Sequence, residues 1–312
     1  MRVGILGVGH WHAAMHAKGV LEAGAQIAGV WDPDPQAAAR FVAQSGGVAR
    51  PDAAMVLDDR PDLLIALGRG PEAATRLAWL IEQDIPILAD KPIGLSHSDV
   101  APLADAARQR DRFVAVALVN RIAGVTEALG DAGQPAHIHF RIINGHPRRY
   151  RDWGVPWMLD PRQSGGGALR NLGVHGVDAF LTLAGGQAVR LDHAAFHSIF
   201  GEAVEDYACV VLRAADGMLG VIEAGYTHPD TSGSYEWRIN ARDGALVDTG
   251  ARLIATPDRA LDPAAYVPSS QRYSRFVADT VARMTDGRPP AVSLGEFARA
   301  TEIVDQAYRF AG

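Results

Sequence analysis

Asn171, His175 and Asp178 lie at helical spacing in the stretch GGGALRNLGVHGVD, Gly165 to Asp178, and their types could carry proton chemistry. Side chains three and four apart on a helix stand about 5 to 6 Å apart at Cβ, so an amide and an imidazole could meet one ligand. Moving a proton to or from a bound ligand needs a side chain that can act as a base. His175 is the candidate, because an unperturbed imidazole titrates near neutrality. Asn171 cannot be a base, but its amide can orient the hydroxyl or the imidazole. Asp178 either holds His175 from behind or carries a surface charge. A flexible triple-glycine turn would deliver this helix, whose polar stripe could otherwise serve only to cap and pack it.

A second constellation opens the chain. Gly7 and Gly9 follow an apolar run and precede a helical pattern, the context in which backbone amides and a helix dipole face a pyrophosphate. His12 takes the third small position of that fingerprint, so either the helix sits further out or Ala13 and Ala14 supply the close contact. Asp32 ends the next strand, where a carboxylate accepts both ribose hydroxyls of NAD and repels a 2'-phosphate. NAD is therefore expected before NADP, with Gly7, Gly9, His10, Trp11, His12, Asp32 and Lys91 as the cofactor-binding set. His10, His12 and His16 invite a metal, but no Cys or carboxylate stands beside them at ligand spacing. No metal is assigned, and they read as loop or helix-surface histidines.

A third signal is Asp90-Lys91-Pro92 after the run IPIL, which puts a lysine at the carboxyl end of a strand, the edge where doubly wound sheets bind ligands. A cationic Lys91 could stabilise a developing alkoxide or lower the pKa of a substrate hydroxyl, and a solvated loop lysine is the competing reading. Further on, HPRRYRDWGVPWMLDPRQS offers Arg148, Arg149 and Arg151 for a carboxylate or phosphate, and Tyr150, Trp153 or Trp157 for the apolar face of a ligand. A solvated, packed loop is the competing reading. Arg170 points off the stripe and is a weaker candidate.

The elements that position these residues follow two rhythms. Apolar runs at Val3–Leu6, Ile27–Trp31, Leu63–Leu67, Ile85–Leu88 and Phe113–Leu118 alternate with helical patterns after Gly9, from Pro35, from about Glu72 and from Ser98. That alternation predicts a parallel, doubly wound sheet ending near Arg121. Strand patterns then cluster at His137–Ile143, Tyr207–Arg213, Leu219–Tyr226, Tyr235–Ala241, Ala245–Asp248 and Leu253–Ala255. They predict an α+β domain over 122–312, its sheet mainly antiparallel, with the helix Leu172–Leu183 on one face. Ile138, Phe140 and Ile142 oppose His137, His139 and Arg141, and Tyr235, Trp237 and Ile239 oppose Glu236, Arg238 and Asn240. The outer face is therefore polar, and is either solvated or a hydrated subunit contact. A last helix over 294–310 could pack back onto the first domain.

Composition sets the outer bounds. The chain has 312 residues, 48% hydrophobic and 21% charged, which suits two soluble domains. A formal net charge of -6 argues against nucleic acid as the main partner. Cys209 is the single cysteine, fits a reducing compartment and is expected in a buried strand. The N-terminus lacks a signal-peptide h-region and no run reaches bilayer length, so a cytoplasmic protein without a membrane partner is expected.

GILGVGHWHA, ADKPIGLS and GGGALRNLGVHGVD, in this order and at these separations, resemble the Gfo/Idh/MocA oxidoreductases, whose members act on sugars, cyclitols and related polyols. The resemblance spans essentially the whole chain. It implies a Rossmann domain over 1–121, a substrate-binding domain over 122–312 with an open sheet, NAD(P), and a homodimer or homotetramer. Lys91 matches the lysine of the family's Glu-Lys-Pro motif, with Asp90 where glutamate is usual, and His175 matches the motif histidine with Asn171 in the aspartate position. Lys91, His175 and Asn171 are thus the catalytic candidates. Asn120 and Arg121 look like the Asn-Arg pair that follows the last Rossmann strand, and join Arg149, Trp153, Trp157 and Asn171 as substrate-binding candidates. Thr75 stands where the family has a histidine.

The expected activity is hydride transfer between a carbinol of a sugar, cyclitol or sugar acid and nicotinamide. Two alternatives remain: an NAD-cycling glycosidase or lyase, and a ligand sensor that kept the fold and lost catalysis, for which Asn171 and Thr75 are the motivating departures.

Overall fold

The computed structural model describes residues 1–130, 132–230, 233–257 and 265–311. It divides into two compact units, Met1–Leu118 with Tyr273–Ala298, and Val119–Arg272 with Arg299–Gly312. The division falls before the expected boundary at Arg121, because Val119–Ile122 forms a 3-10 turn that groups with the second unit.

The first unit alternates β1 (Arg2–Leu6), α1 (Ala13–Glu22), β2 (Gln26–Trp31), α2 (Pro35–Ser45), β3 (Val48–Ala49), α3 (Met55–Asp58), β4 (Leu63–Ala66), α4 (Gly70–Ile81), β5 (Ile87–Ala89), α5 (His97–Gln109) and β6 (Val114–Val116). The strands form a six-stranded parallel sheet in the order β3-β2-β1-β4-β5-β6. Helices on both faces of such a sheet bury its strands completely, which is why β4, β5 and β6 read as unbroken apolar runs. Local chemistry starts the helices: Asp34 accepts the Gln36 amide at 2.9 Å with Pro35 at the first helical position of α2, and Asp99 accepts the Ser96 amide at 3.1 Å ahead of α5. β3 and α3 were too short to show any period in the sequence.

The second unit contains α6 (Val125–Leu129), β7 (Pro135–Gly145), α7 (Arg149–Asp152), α8 (Pro161–Ser164), α9 (Val174–Leu183), β8 (Val189–His197), β9 (Tyr207–Ala214), β10 (Leu219–His228), β11 (Ser234–Ala241), β12 (Gly244–Asp248) and β13 (Leu253–Thr256). Its seven-stranded sheet runs β13-β12-β11-β7-β10-β9-β8, with β7 and β10 parallel and the other pairs antiparallel. β8 escaped the sequence reading because its burial is patchy, and the alternation of β7 slips at its end, where Ile143 rather than Ile142 is buried. Two helices close the chain. α10 (Arg272–Thr285) lies almost wholly in the first unit, and α11 (Leu294–Ala311) groups with the first unit through Ala298 and with the second from Arg299.

The polar face of β7, β9, β10 and β11 is laced rather than bare. His139 meets Glu223 at 2.6 Å and the Tyr207 hydroxyl donates to Glu223 at 2.5 Å. Cys209 lies on this face, half-buried rather than buried, and burial raises its thiol pKa. None of the described helices is long and apolar enough to cross a membrane.

On the inner face α9 packs backbone-first onto the sheet. A Cβ on Gly176 would lie 2.7 Å from Phe140 Cδ1 and 2.8 Å from Ile222 Cγ2, both buried ring and branch atoms. Gly176→Ala should therefore overpack this contact and cost about 1 to 3 kcal/mol. Urea unfolding should show a lower midpoint at unchanged slope, and an unchanged midpoint would mean the helix shifts freely on the sheet.

Candidate active site

In the first unit, β1 runs into Gly7, whose φ of +85° suits glycine and whose Cβ would lie 2.1 Å from the Leu67 carbonyl oxygen. Asp32 follows β2 and reaches back to this turn: Oδ2 accepts the Gly9 amide at 2.6 Å and Oδ1 accepts the Asp34 amide at 2.9 Å. An ionised carboxylate has about four acceptor positions, so Asp32 keeps capacity for ribose hydroxyls after both contacts. A Cβ on Gly9 would stand 3.1 Å from Asp32 Oδ2, and its absence leaves that oxygen approachable. The glycine turn, the start of α1 and Asp32 therefore fit a dinucleotide's pyrophosphate and ribose. The third small position is solved within the helix, since Ala13 is buried while Ala14 is exposed.

The histidines are not surface residues, as their spacing suggested. His10, His12 and His16 are 5%, 6% and 0% exposed. The missing carboxylate arrives from beyond β5, since Asp90 Oδ2 accepts from His12 Nδ1 and from His16 Nε2, each at 2.8 Å. Parallel pairing of distant strands brings them together, which no local spacing rule detects. Asp90 Oδ1 has no hydrogen-bond partner among the described residues. Burial drives the His12 pKa down to about 4 despite Asp90, and burial with the neighbouring His12 charge puts His10 well below its ordinary value. Burial opposes ionisation of Asp90, but the attraction and hydrogen bonds of His12 and His16 hold its carboxyl well below the usual range. At neutral pH Asp90 is an anion and His12 a neutral donor through Nδ1. His12 Nε2 is then the acceptor for the Tyr273 hydroxyl at 3.1 Å.

Lys91 follows at once, 3% exposed, with its ammonium 5.7 Å from the centre of the Trp11 ring. Trp11 in turn stacks on His10 with centroids 3.8 Å apart. The sequence reading missed Arg76, which donates to the Leu67 carbonyl beside the glycine turn and covers the Trp31 ring at 4.9 Å. Burial lowers its pKa, while Glu72 and Asp32 oppose that shift. A lone arginine inside a helical pattern carries no signal of such placement. Thr75 is exposed and donates to the Pro71 carbonyl at 3.1 Å, an ordinary helix back-bond.

In the second unit the glycine turn is clamped rather than flexible. Glu205 accepts the amides of Gly167 and Leu169, each at 2.9 Å, and the Tyr308 hydroxyl at 2.7 Å. Burial raises the Glu205 pKa, and these hydrogen bonds work against that rise. Leu169–Gly173 is a π-helical turn leading into α9, so Asn171 and His175 do not share an unbroken α-helical stripe. Both are buried all the same, at 7% and 6% exposed. Asn171 Nδ2 donates to the Tyr150 hydroxyl at 2.7 Å and to the Tyr226 hydroxyl at 3.0 Å. Burial and the adjacent Tyr150 raise the Tyr226 pKa well above its ordinary value, so it stays neutral.

Asp178 is taken by Arg121, whose Nη2 meets Oδ1 at 2.5 Å and whose Nε meets Oδ2 at 3.2 Å. Asn120 accepts from Arg272 at 2.7 Å, within a buried group in which Arg272 also pairs with Asp248 at 2.7 Å and donates to the Tyr235 hydroxyl at 2.8 Å. The Asn-Arg pair thus has structural partners inside the second unit. Arg170 pairs with Asp305 at 2.5 Å. Trp157 is buried at 7% exposed, and Trp153 is open at 53%. Tyr150 and Tyr226 line this region together, and only the first stood out in the sequence.

The His12 pKa of about 4 carries a sign: the unfolded imidazole, near 6.5, binds a proton that the folded one refuses, so stability falls as pH drops from 6.5 toward 4. The loss should reach on the order of 2 kcal/mol by pH 4.5. Thermal midpoints across that range should show it, and His12→Gln should flatten this step. An equal slope in the variant would reject the assignment.

Two family models match the chain: an oxidoreductase family with an NAD-binding Rossmann fold over residues 1–118, and the GFO/IDH/MocA C-terminal domain over 128–247. No curated protein matches it significantly. Among solved structures, an oxidoreductase from Agrobacterium radiobacter, in complex with NAD+, L-tartaric acid and magnesium, is 17% identical with a TM-score of 0.85, covering 100% of this chain and 96% of that one. An inositol dehydrogenase homolog complexed with NAD+ from Azotobacter vinelandii is 15% identical with a TM-score of 0.82, covering 100% and 96%. UDP-N-acetylglucosamine 3-dehydrogenase from Acidithiobacillus ferrooxidans is 18% identical with a TM-score of 0.78, covering 100% and 97%. At these identities the structures speak for the fold, and the family models carry the assignment: with an NAD-binding Rossmann fold and the matching C-terminal domain, the chain belongs to the GFO/IDH/MocA oxidoreductase family.

Proposed function

We propose that this oxidoreductase is a dehydrogenase that transfers hydride between a secondary carbinol of a sugar, cyclitol or sugar acid and NAD. The observation that carries the reading is the buried Lys91 ammonium, held over Trp11 at the carboxyl end of β5, in the same unit as the glycine turn and Asp32. A buried lysine there has a use when negative charge develops on a substrate oxygen. The glycine turn and Asp32 would hold NAD, which would supply the acceptor for the carbinol hydrogen and its bonding electron pair.

The chain's own residues manage the proton and the orientation. His175 takes the hydroxyl proton through Nε2, its Nδ1 being buried in the protein. Lys91 stabilises the alkoxide character that grows as the proton leaves. Asn171, fixed by the Tyr150 and Tyr226 hydroxyls, presents its amide oxygen to orient the substrate. Asp32 holds the ribose hydroxyls and repels a 2'-phosphate.

His175→Ala and Lys91→Ala should each lower kcat by about 100-fold or more with a folded protein, read as NADH formation on a polyol and sugar-acid panel. Near-normal turnover in either variant would remove that residue from the chemistry. Asn171→Asp places an anion near the imidazole, so the acidic limb of the kcat/KM profile should move to higher pH. An unmoved limb would uncouple Asn171 from the base. Asp32→Ala should raise the KM for NAD by about tenfold and narrow the preference over NADP. Deuterium transfer from labelled substrate to NAD separates this reading from a sensor.

A further inference from the structure

The arginines of the segment after β7 do not behave alike. Arg148 pairs with Asp152 at 3.7 Å, and Arg151 holds both oxygens of Glu202 at 2.6 Å. Arg149, between them, makes no ion pair among the described residues. One of its five donors is engaged, Nη2 donating to the Tyr150 hydroxyl at 3.2 Å, and its Nε is buried without a hydrogen-bond partner. Aromatic faces surround the guanidinium: its carbon lies 5.1 Å from the centre of the Tyr150 ring, 5.0 Å from Trp153 and 5.9 Å from Tyr226.

Such a cation is unusual. Guanidinium is weakly hydrated and stacks well on rings, but rings do not neutralise it, and an unpaired, half-buried charge gains strongly from an anion. The planar fork matches a carboxylate through two parallel N–H bonds. Glu205 is the acid that acts on Tyr226, and its oxygens already hold the glycine turn and Tyr308. The Tyr150 hydroxyl accepts from Arg149 at 3.2 Å and from Asn171 at 2.7 Å, so the guanidinium reaches within about 6 Å of the amide assigned to substrate orientation. That span fits inside one sugar-sized molecule.

We propose that Arg149, walled by Tyr150, Trp153 and Tyr226, is the subsite for the carboxylate of a polyhydroxylated acid, and that the substrate is a sugar acid rather than a neutral sugar or cyclitol. The proposal rests on the dehydrogenase reading for which hydroxyl is oxidised, but the binding of the anion stands without it. Trp153 is the sensor at hand, being open to solvent and against the cation. A carboxylate that draws the guanidinium changes its emission.

The test titrates the full chain, with NAD present, with D-glucuronate, D-galacturonate and D-gluconate, with neutral D-glucose and D-galactose, and with D-glucose 6-phosphate. It follows the fluorescence that Trp153→Phe removes and, separately, NADH formation. At least one carboxylate should bind tenfold or more tightly than its neutral parent, and should weaken as salt rises. In Arg149→Gln the acid should fall to the level of its parent, and Arg149→Lys should restore part of the difference, since an ammonium keeps the charge and loses the fork. Equal binding of acid and parent, tighter binding of the phosphate than of any carboxylate, no binding by any carboxylate, or an Arg149→Gln loss that falls equally on acid and parent would each overturn the proposal. NADH formation on neutral polyols without preference for acids would overturn it while leaving the dehydrogenase reading in place. Acid binding without hydride transfer on any compound would do the reverse.

Discussion

A single carboxylate sets the order of the cofactor half. Asp90 lies where β5 ends, and its two bonds to His12 and His16 tie that end to the loop and first helix that follow β1. Because β1 and β5 are separated in the sheet by β4, this link spans two strand spacings and leaves little freedom between the glycine turn and the residue after Asp90. That residue is Lys91. A longer glutamate in place of Asp90 would crowd His12 and His16, so the shorter aspartate suits the two buried histidines that it joins.

The second unit reaches the same end by different means. Glu205 grips the glycine turn by its amides, two tyrosine hydroxyls fix the Asn171 amide, and Arg121 pairs with Asp178 on α9. Asn171 and Asp178 are thus each oriented by partners. Preorganisation of that kind lets an amide act without first finding its rotamer. Gly176 admits the α9 backbone onto Phe140 and Ile222.

The legible part of this chain was its periodic part. Strand and helix alternation gave the parallel sheet, and the alternating faces of β7 and β11 gave the second sheet, because burial imposes those periods directly. β3 and β8 stayed hidden, one too short and one unevenly buried. Within the site, Gly7, Asp32 and Lys91 declared themselves through position relative to strands. The burial of His10, His12 and His16 did not, since it depends on a carboxylate that follows a different strand. Tyr226, Tyr273 and Arg76 were equally silent: each sits in an unremarkable strand or helix pattern and acquires its role from a neighbour far along the chain. Among Arg148, Arg149 and Arg151, only the partners that the fold brings, Asp152 and Glu202, separate the unpaired one from the others.

The π turn at Leu169–Gly173 sets the phase of the helix that follows it. Each residue of an α-helix turns the chain by about 100°, so one additional residue accommodated without lengthening the axis rotates everything downstream by that amount. The face that α9 sets against the sheet and the face that carries His175 can then be chosen separately from the direction in which the glycine turn delivers the chain. Loss of one residue there would keep the helix and its sequence intact, yet turn the imidazole toward a different part of the molecule.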